Sequence, residues 1–303
     1  MSQRYFDPDG LSRVGNMELV ARQVVEGFLT GRHRSPYHGF SVEFTEYRPY
    51  SPGDDVRYLD WRLYARLERY YVKRFQDETN LRCHLLVDRS GSMRYGSLQF
   101  TKFDYARTLA ATLAWFLNGQ GDAVGLFTFD DRVRDYLPAR HRHGHLRQLL
   151  LALEREPEDS ATRLNEPLRR VAELVRKRGL IVLISDLLAP IDELESDLGR
   201  LTAAGHETVI FQVVDPNELD FNFHRPMLFR EMESGRELYI NPEAARAEYQ
   251  RRFAGHRLGA ETVCRKLGIA FQRVVTSQPL ELALLEFLRS RSRRAQRPNR
   301  RRG

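Results

Sequence analysis

Short, continuous apolar runs alternate along most of the chain with longer stretches in which apolar residues recur every three or four positions. The runs "LRCHLLVD" (81–88), "DAVGLFTFDD" (122–131), "GLIVLISD" (179–186) and "HETVIFQVVD" (206–215) are strand-sized and apolar at consecutive positions, the mark of strands buried on both faces. Helical spacing predicts helices over 103–121, near 143–154 and 164–177, over 190–204, near 243–267 and over 279–291. "RVRDYLPA" (132–139) reads as a hairpin partner across Asp130-Asp131, "MLFREMESGRELYIN" (227–241) as a hairpin around Ser234-Gly235, and "GIAFQRVVT" (268–276) as a last strand. Strands alternating with helices predict an α/β fold with a doubly wound, mostly parallel, Rossmann-like sheet covered on both faces.

The first 80 residues follow a different pattern. In "NMELVARQVVEGFLTGR", Leu19, Val20, Val24, Phe28 and Leu29 recur at helical spacing, and Gly31 is a stop signal. Residues 32–80 are rich in aromatic and β-branched residues, with a turn at Pro52-Gly53, then a short helix and a strand around Tyr70–Phe75. The expected organisation is therefore an N-terminal helix plus small, mainly β module over 1–80, an α/β domain over 81–290, and a tail over 291–303.

Composition narrows the function classes. The net charge is +7, but residues 289–303 hold eight arginines and no acid, so the remainder sums to −1. The basic character is that of a solvated tail, at most a weak electrostatic anchor, and with no interleaved aromatics it does not point to nucleic-acid readout. No apolar stretch approaches the ~18 residues needed to cross a bilayer, and the N-terminus carries no secretory pattern. A cytoplasmic protein is expected. Cys83 and Cys264 have no nearby cysteine, so two buried thiols are expected rather than a zinc site or a disulfide.

The candidate chemistry lies where apolar runs end. In a doubly wound sheet, ligands gather at the carboxyl ends of strands. The first core strand ends in Asp88-Arg89-Ser90-Gly91-Ser92, the strand at 179–186 ends in Ser185-Asp186, and "EDSATRLNEPLRRV" between them places Thr162 before a helix. Two carboxylates and three hydroxyls form a hard oxygen set suited to Mg²⁺ or Mn²⁺ rather than zinc. Taken alone, Asp-x-Ser-x-Ser also describes a surface turn or a helix cap.

Asp88-x-Ser90-x-Ser92, Thr162 and Asp186 resemble the metal-ion-dependent adhesion site of von Willebrand factor A domains. The stretch 39–78, with Arg48, Pro52-Gly53-Asp54-Asp55, Arg57 and Asp60-Trp61, leading into "LLVDRSGSM", resembles the bacterial family called domain of unknown function fifty-eight, over about residues 35–290. The resemblance implies a von Willebrand A-like fold and a non-catalytic, protein-binding adaptor. Its Mg²⁺ would be held by Asp88, Ser90, Ser92, Thr162 and Asp186, with a carboxylate of a protein partner completing the shell. It also implies association with a MoxR-type AAA+ ATPase in a chaperone-like or assembly role. Many relatives begin with membrane-spanning helices, and this chain resembles the soluble type. Adhesion domains carry Asp-Gly at the third motif, where this chain has Asp186-Leu187.

The alternative is Mg²⁺-dependent phosphoryl transfer with Asp88 as nucleophile. That chemistry asks for a second acid where Ser90 stands, and for a lysine at the same rim. None of the four lysines (Lys73, Lys102, Lys177, Lys266) follows a core strand at that end. No Gly-x-Ser-x-Gly elbow and no Gly-x-x-x-x-Gly-Lys loop is present. His141, His143 and His145 alternate but have no accompanying carboxylate and read as a solvated loop. Arg48, Asp54, Asp55, Arg57 and Asp60 read as an ion-pair network around Trp61.

Overall fold

In a computed structural model of the 303-residue chain, residues 17–30, 46–49, 71–74, 81–157, 164–232 and 235–295 are described. The chain divides into a unit of residues 34–80 and a unit comprising 1–33 with 81–303. Within the smaller unit, β1 (Glu46–Pro49) pairs antiparallel with β2 (Tyr71–Arg74), Glu46 opposite Arg74. β2 falls where a strand is expected; the ion-pair network proposed around Trp61 lies outside the described residues.

The larger unit is built on a six-stranded sheet. Its strands are β3 (Arg82–Asp88), β4 (Ala123–Phe129), β5 (Val133–Arg140), β6 (Leu180–Ser185), β7 (Glu207–Val214) and β10 (Ala270–Val275), in the order β10-β7-β6-β3-β4-β5. All neighbours are parallel except β5, which returns antiparallel to β4 at one edge. The two central strands, β3 and β6, are buried at nearly every position, which is why their sequences are unbroken apolar runs. This is the doubly wound, mostly parallel sheet expected from the alternation of runs.

Alternate strand residues feed two cores. Cys83, Leu85 and Val87 of β3 face the layer that contains α2 (Lys102–Gly119), α3 (His145–Leu153) and α8 (Leu280–Ala295). Leu86 faces the layer containing α4 (Asn165–Leu174), α5 (Ile191–Ala203) and α7 (Pro242–Lys266). The N-terminal helix α1 (Met17–Thr30) belongs to the first layer: Met17, Ala21, Val24, Val25 and Phe28 join the core there. It thus groups with residues 81–303, not with the β module as expected, because its apolar stripe is buried against the α/β core. Leu19, which the helical spacing placed on that stripe, is 44% exposed.

Gly125 in β4 is required by close packing: a Cβ there would lie 2.7 Å from the Ala139 nitrogen and 2.8 Å from the Leu137 carbonyl oxygen, where the β4–β5 register shifts. Cys83 and Cys264 are both buried free thiols, and burial pushes the Cys264 thiol up to about 12. Two short features escaped the sequence pattern, the helix α6 (Pro216–Asp220) and the 3₁₀ turn Gly91–Arg94. The hairpin β8 (Met227–Arg230) and β9 (Glu237–Ile240) forms as expected, Met227 opposite Ile240. Among the described residues, no helix is long and apolar enough to cross a membrane.

Candidate metal centre

β3 and β6 lie side by side, and the chain leaves β3 toward β4 on one side while β6 leads to β7 on the other. Their carboxyl ends flank the switch point where a doubly wound sheet opens a crevice. Asp88 ends β3 and Ser185 ends β6, so the two loops meet there. Asp88 is fully buried and fixed at both oxygens: the Ser90 amide donates to Oδ1 at 2.9 Å, and Ser185 Oγ donates to Oδ2 at 2.6 Å. The Leu187 amide in turn donates to Ser185 Oγ at 3.0 Å. Burial first, and the nearby Asp186 carboxylate second, push the Asp88 carboxyl up to about 7.

Ser90 ends the approach to the 3₁₀ turn, and Ser92 lies within it. Their Oγ atoms are 3.2 Å apart, a hydrogen bond in which either hydroxyl can donate. Two oxygens bound at right angles to one Mg²⁺ at about 2.1 Å stand roughly 3.0 Å apart, so this pair has the spacing of adjacent octahedral ligands. Among the described residues, no three His, Cys, Asp or Glu side chains group to hold a metal. A cation here would therefore rely on serine hydroxyls. With a buried carboxyl beside them and an excess of acidic groups around them, the donor set suits a hard divalent ion.

Asp186 is 3% exposed and joins the same rim, but its carboxylate is occupied. Lys102 Nζ donates to Asp186 Oδ2 at 2.9 Å and to Glu218 Oε1 at 2.5 Å. Burial pulls the Lys102 ammonium down; the two carboxylates outweigh it and hold it above the usual lysine range. Burial likewise raises the Glu218 carboxyl, with Lys102 opposing. The Asp186 carbonyl accepts from Gln212 Nε2 of β7 at 3.2 Å, and Asp186 Oδ1 accepts from the Leu188 amide at 3.3 Å. Leu187, standing where adhesion domains have glycine, has φ = +58° and a fully buried side chain.

Thr162 lies outside the described residues. The segment before it is anchored at the rim, since Arg89 Nη2 donates to the Glu156 carbonyl. After it, Leu164 is buried in the core that holds Leu86, Phe129 and Leu187. Asp88, Ser90, Ser92 and Asp186 are thus brought to one rim.

Sequence reasoning missed three groups at this rim: Lys102, Asp215 and Glu218. Lys102 opens α2 behind the Thr101–Asp104 capping box, and its long side chain reaches the rim from a helix start, not from a strand-end loop. That corrects the expectation that no lysine stands at this end of the sheet. Asp215 and Glu218 form the capping box of α6, with the Asp215 amide donating to Glu218 Oε2 at 2.9 Å. Asp215 also accepts from the Ser97 amide at 2.8 Å and from Ser97 Oγ at 2.6 Å. The Asp-Pro-x-Glu run after a core strand was the available signal. Of the three alternating histidines, His145 is not solvated as expected: it is buried, with Nε2 2.9 Å from the Val124 carbonyl oxygen, while His141 and His143 are exposed.

The chain is 30% identical to the uncharacterized protein Rv1480 of Mycobacterium tuberculosis over 298 residues, covering 95% of this chain and 92% of that protein. The uncharacterized protein Mb1516 of Mycobacterium bovis matches to the same extent. Among solved structures, the conserved hypothetical protein BatB from Bacteroides thetaiotaomicron aligns at 15% identity with a TM-score of 0.44, over 70% of this chain and 99% of that one. The SpRpn10 VWA domain aligns at 12% identity and a TM-score of 0.38, over 67% and 94%. The fold assignment rests on the strand order, not on these likenesses. A family model matches residues 46–259, and together with the mycobacterial relatives it establishes that the chain belongs to the family described as Protein of unknown function DUF58.

Proposed function

We propose that the chain is a non-catalytic protein-binding adaptor that holds Mg²⁺ or Mn²⁺ at the rim formed by Asp88, Ser90, Ser92 and Asp186, with Thr162 as a further ligand. The observation that carries this reading is the 3.2 Å spacing of the Ser90 and Ser92 hydroxyls beside the buried, doubly anchored Asp88. An ion there would keep open positions for water or for a carboxylate of a partner protein, turning one acidic side chain into a specific anchor. The partner class implied by the family resemblance is a MoxR-type AAA+ ATPase. Titration calorimetry with Mn²⁺ tests the reading: the wild type should bind one ion and Asp88→Ala none. Equal binding by both, or by neither, would refute it.

Phosphoryl transfer keeps one point in its favour, the placement of Lys102 at the rim. Against it, Lys102 is already neutralised by Asp186 and Glu218, Arg89 is engaged by the Glu156 carbonyl and Asp135, and Asp88 is wholly buried. Metal-dependent hydrolysis of generic phosphate esters, abolished in Asp88→Asn, would restore that reading; the adaptor reading predicts none.

A further inference from the structure

Lys102 is the least expected group in the fold. Only four of the 48 basic residues are lysines, and this one has no exposed surface. It stands at the first turn of α2, where the positive end of the helix dipole disfavours a cation. Burial disfavours it again. Both penalties are offset by Asp186 and Glu218, at 2.9 and 2.5 Å. Glu218 accepts from the Asp215 amide, Asp215 accepts from Ser97, and Asp186 accepts from the Leu188 amide, so both acceptors are held by groups other than the ammonium as well. An ammonium presented to preset carboxylates at the edge of a divalent-cation site is a tethered cation.

We propose that Lys102 is a resident cation of the acidic rim that antagonises divalent metal binding, so that it sets how tightly the site takes Mg²⁺ or Mn²⁺. The inference rests on the metal reading above and adds its regulation. An ion at Ser90 and Ser92 that draws on Asp186 must share that carboxylate with the ammonium, because Oδ2 is already engaged and Oδ1 accepts the Leu188 amide. The ammonium also repels a divalent ion taken up at the same rim, inside a buried site where charges are weakly screened. The same contact stabilises the ion-free rim, whose buried carboxylates would otherwise lack a counter-charge.

The test is Lys102→Met, which matches the side chain out to Cε and removes the ammonium. Mn²⁺ titration calorimetry of the full chain should give an affinity on the order of tenfold or more above wild type. Its melting temperature should fall in EDTA and recover when Mn²⁺ is added. Wild-type or weaker affinity in folded Lys102→Met, with the wild type binding and Asp88→Ala not, overturns the inference and leaves the metal reading standing. No uptake by either overturns the metal reading and this inference with it. If Lys102→Met does not fold, lysine-labelled wild-type protein is read by NMR. The Lys102 ammonium signal, one of four, should shift on Mg²⁺ addition; a signal unmoved at calorimetric saturation overturns the inference.

Discussion

Leu187 offers a test of the site's backbone that needs no ligand. Its φ of +58° is left-handed, a conformation that costs a residue with a Cβ about 1–2 kcal/mol. The turn aims the Leu187 amide at Ser185 Oγ, and Ser185 donates to Asp88, so the strained residue supports the chain of contacts that fixes the acid. What offsets the strain is burial: the side chain is 0% exposed and sits in the core with Leu164, Leu168 and Leu183. Leu187→Ala removes that burial and keeps the strain, a loss of about 3–5 kcal/mol for a large-to-small core change. Leu187→Gly removes the burial too but relieves the strain. The glycine variant should therefore be the more stable of the two by about 1 kcal/mol, the reverse of the usual order in regular structure. For a chain of this size the difference is roughly 2 °C in melting temperature. Denaturant melts of the two variants in the same buffer measure it directly. An alanine variant as stable as the glycine variant, or more so, would refute the reasoning.

Two further perturbations probe the scaffold under the site. His84 is buried, its ring 6.1 Å from Phe127, and burial, aided by His206 and Arg82, lowers it to about 4 from 6.5. The unfolded chain then binds the extra proton between those values, so His84 costs about 2 kcal/mol by pH 5 and nothing above pH 6.5; urea melts of His84→Leu should lose that much less stability than wild type between pH 7.5 and 5, and an unchanged difference would sink the assignment. Gly125→Ala forces a Cβ against backbone atoms of Ala139 and Leu137 that cannot yield, and should cost about 2 kcal/mol or more in denaturant melts. Wild-type stability in that variant would mean that the β4–β5 contact is looser than described.

The sheet was legible because β3, β4, β6 and β7 are buried on both faces and write themselves as unbroken apolar runs. The long helices were legible from spacing, but their attachment was not: nothing in "MELVARQVVEGFLT" says that it packs with the α/β core rather than with its neighbours in sequence. Asp88, Ser90, Ser92 and Asp186 could be picked out because a strand end is a local feature. Lys102 and Glu218 could not, since they reach the rim from helix starts 84 and 32 residues from Asp186, and only the tertiary fold brings those side chains together. The conformation of Leu187 was hidden for a related reason, because burial in a distant core is what permits it.

The central claim is that oxygens at the carboxyl ends of β3 and β6 hold a hard divalent ion, and the most direct measurement is an anomalous difference map from crystals grown with Mn²⁺. A single strong peak is expected within about 2.3 Å of both Ser90 Oγ and Ser92 Oγ, absent from Asp88→Ala crystals prepared alike. No peak at that rim, or a peak that survives the loss of Asp88, would contradict it.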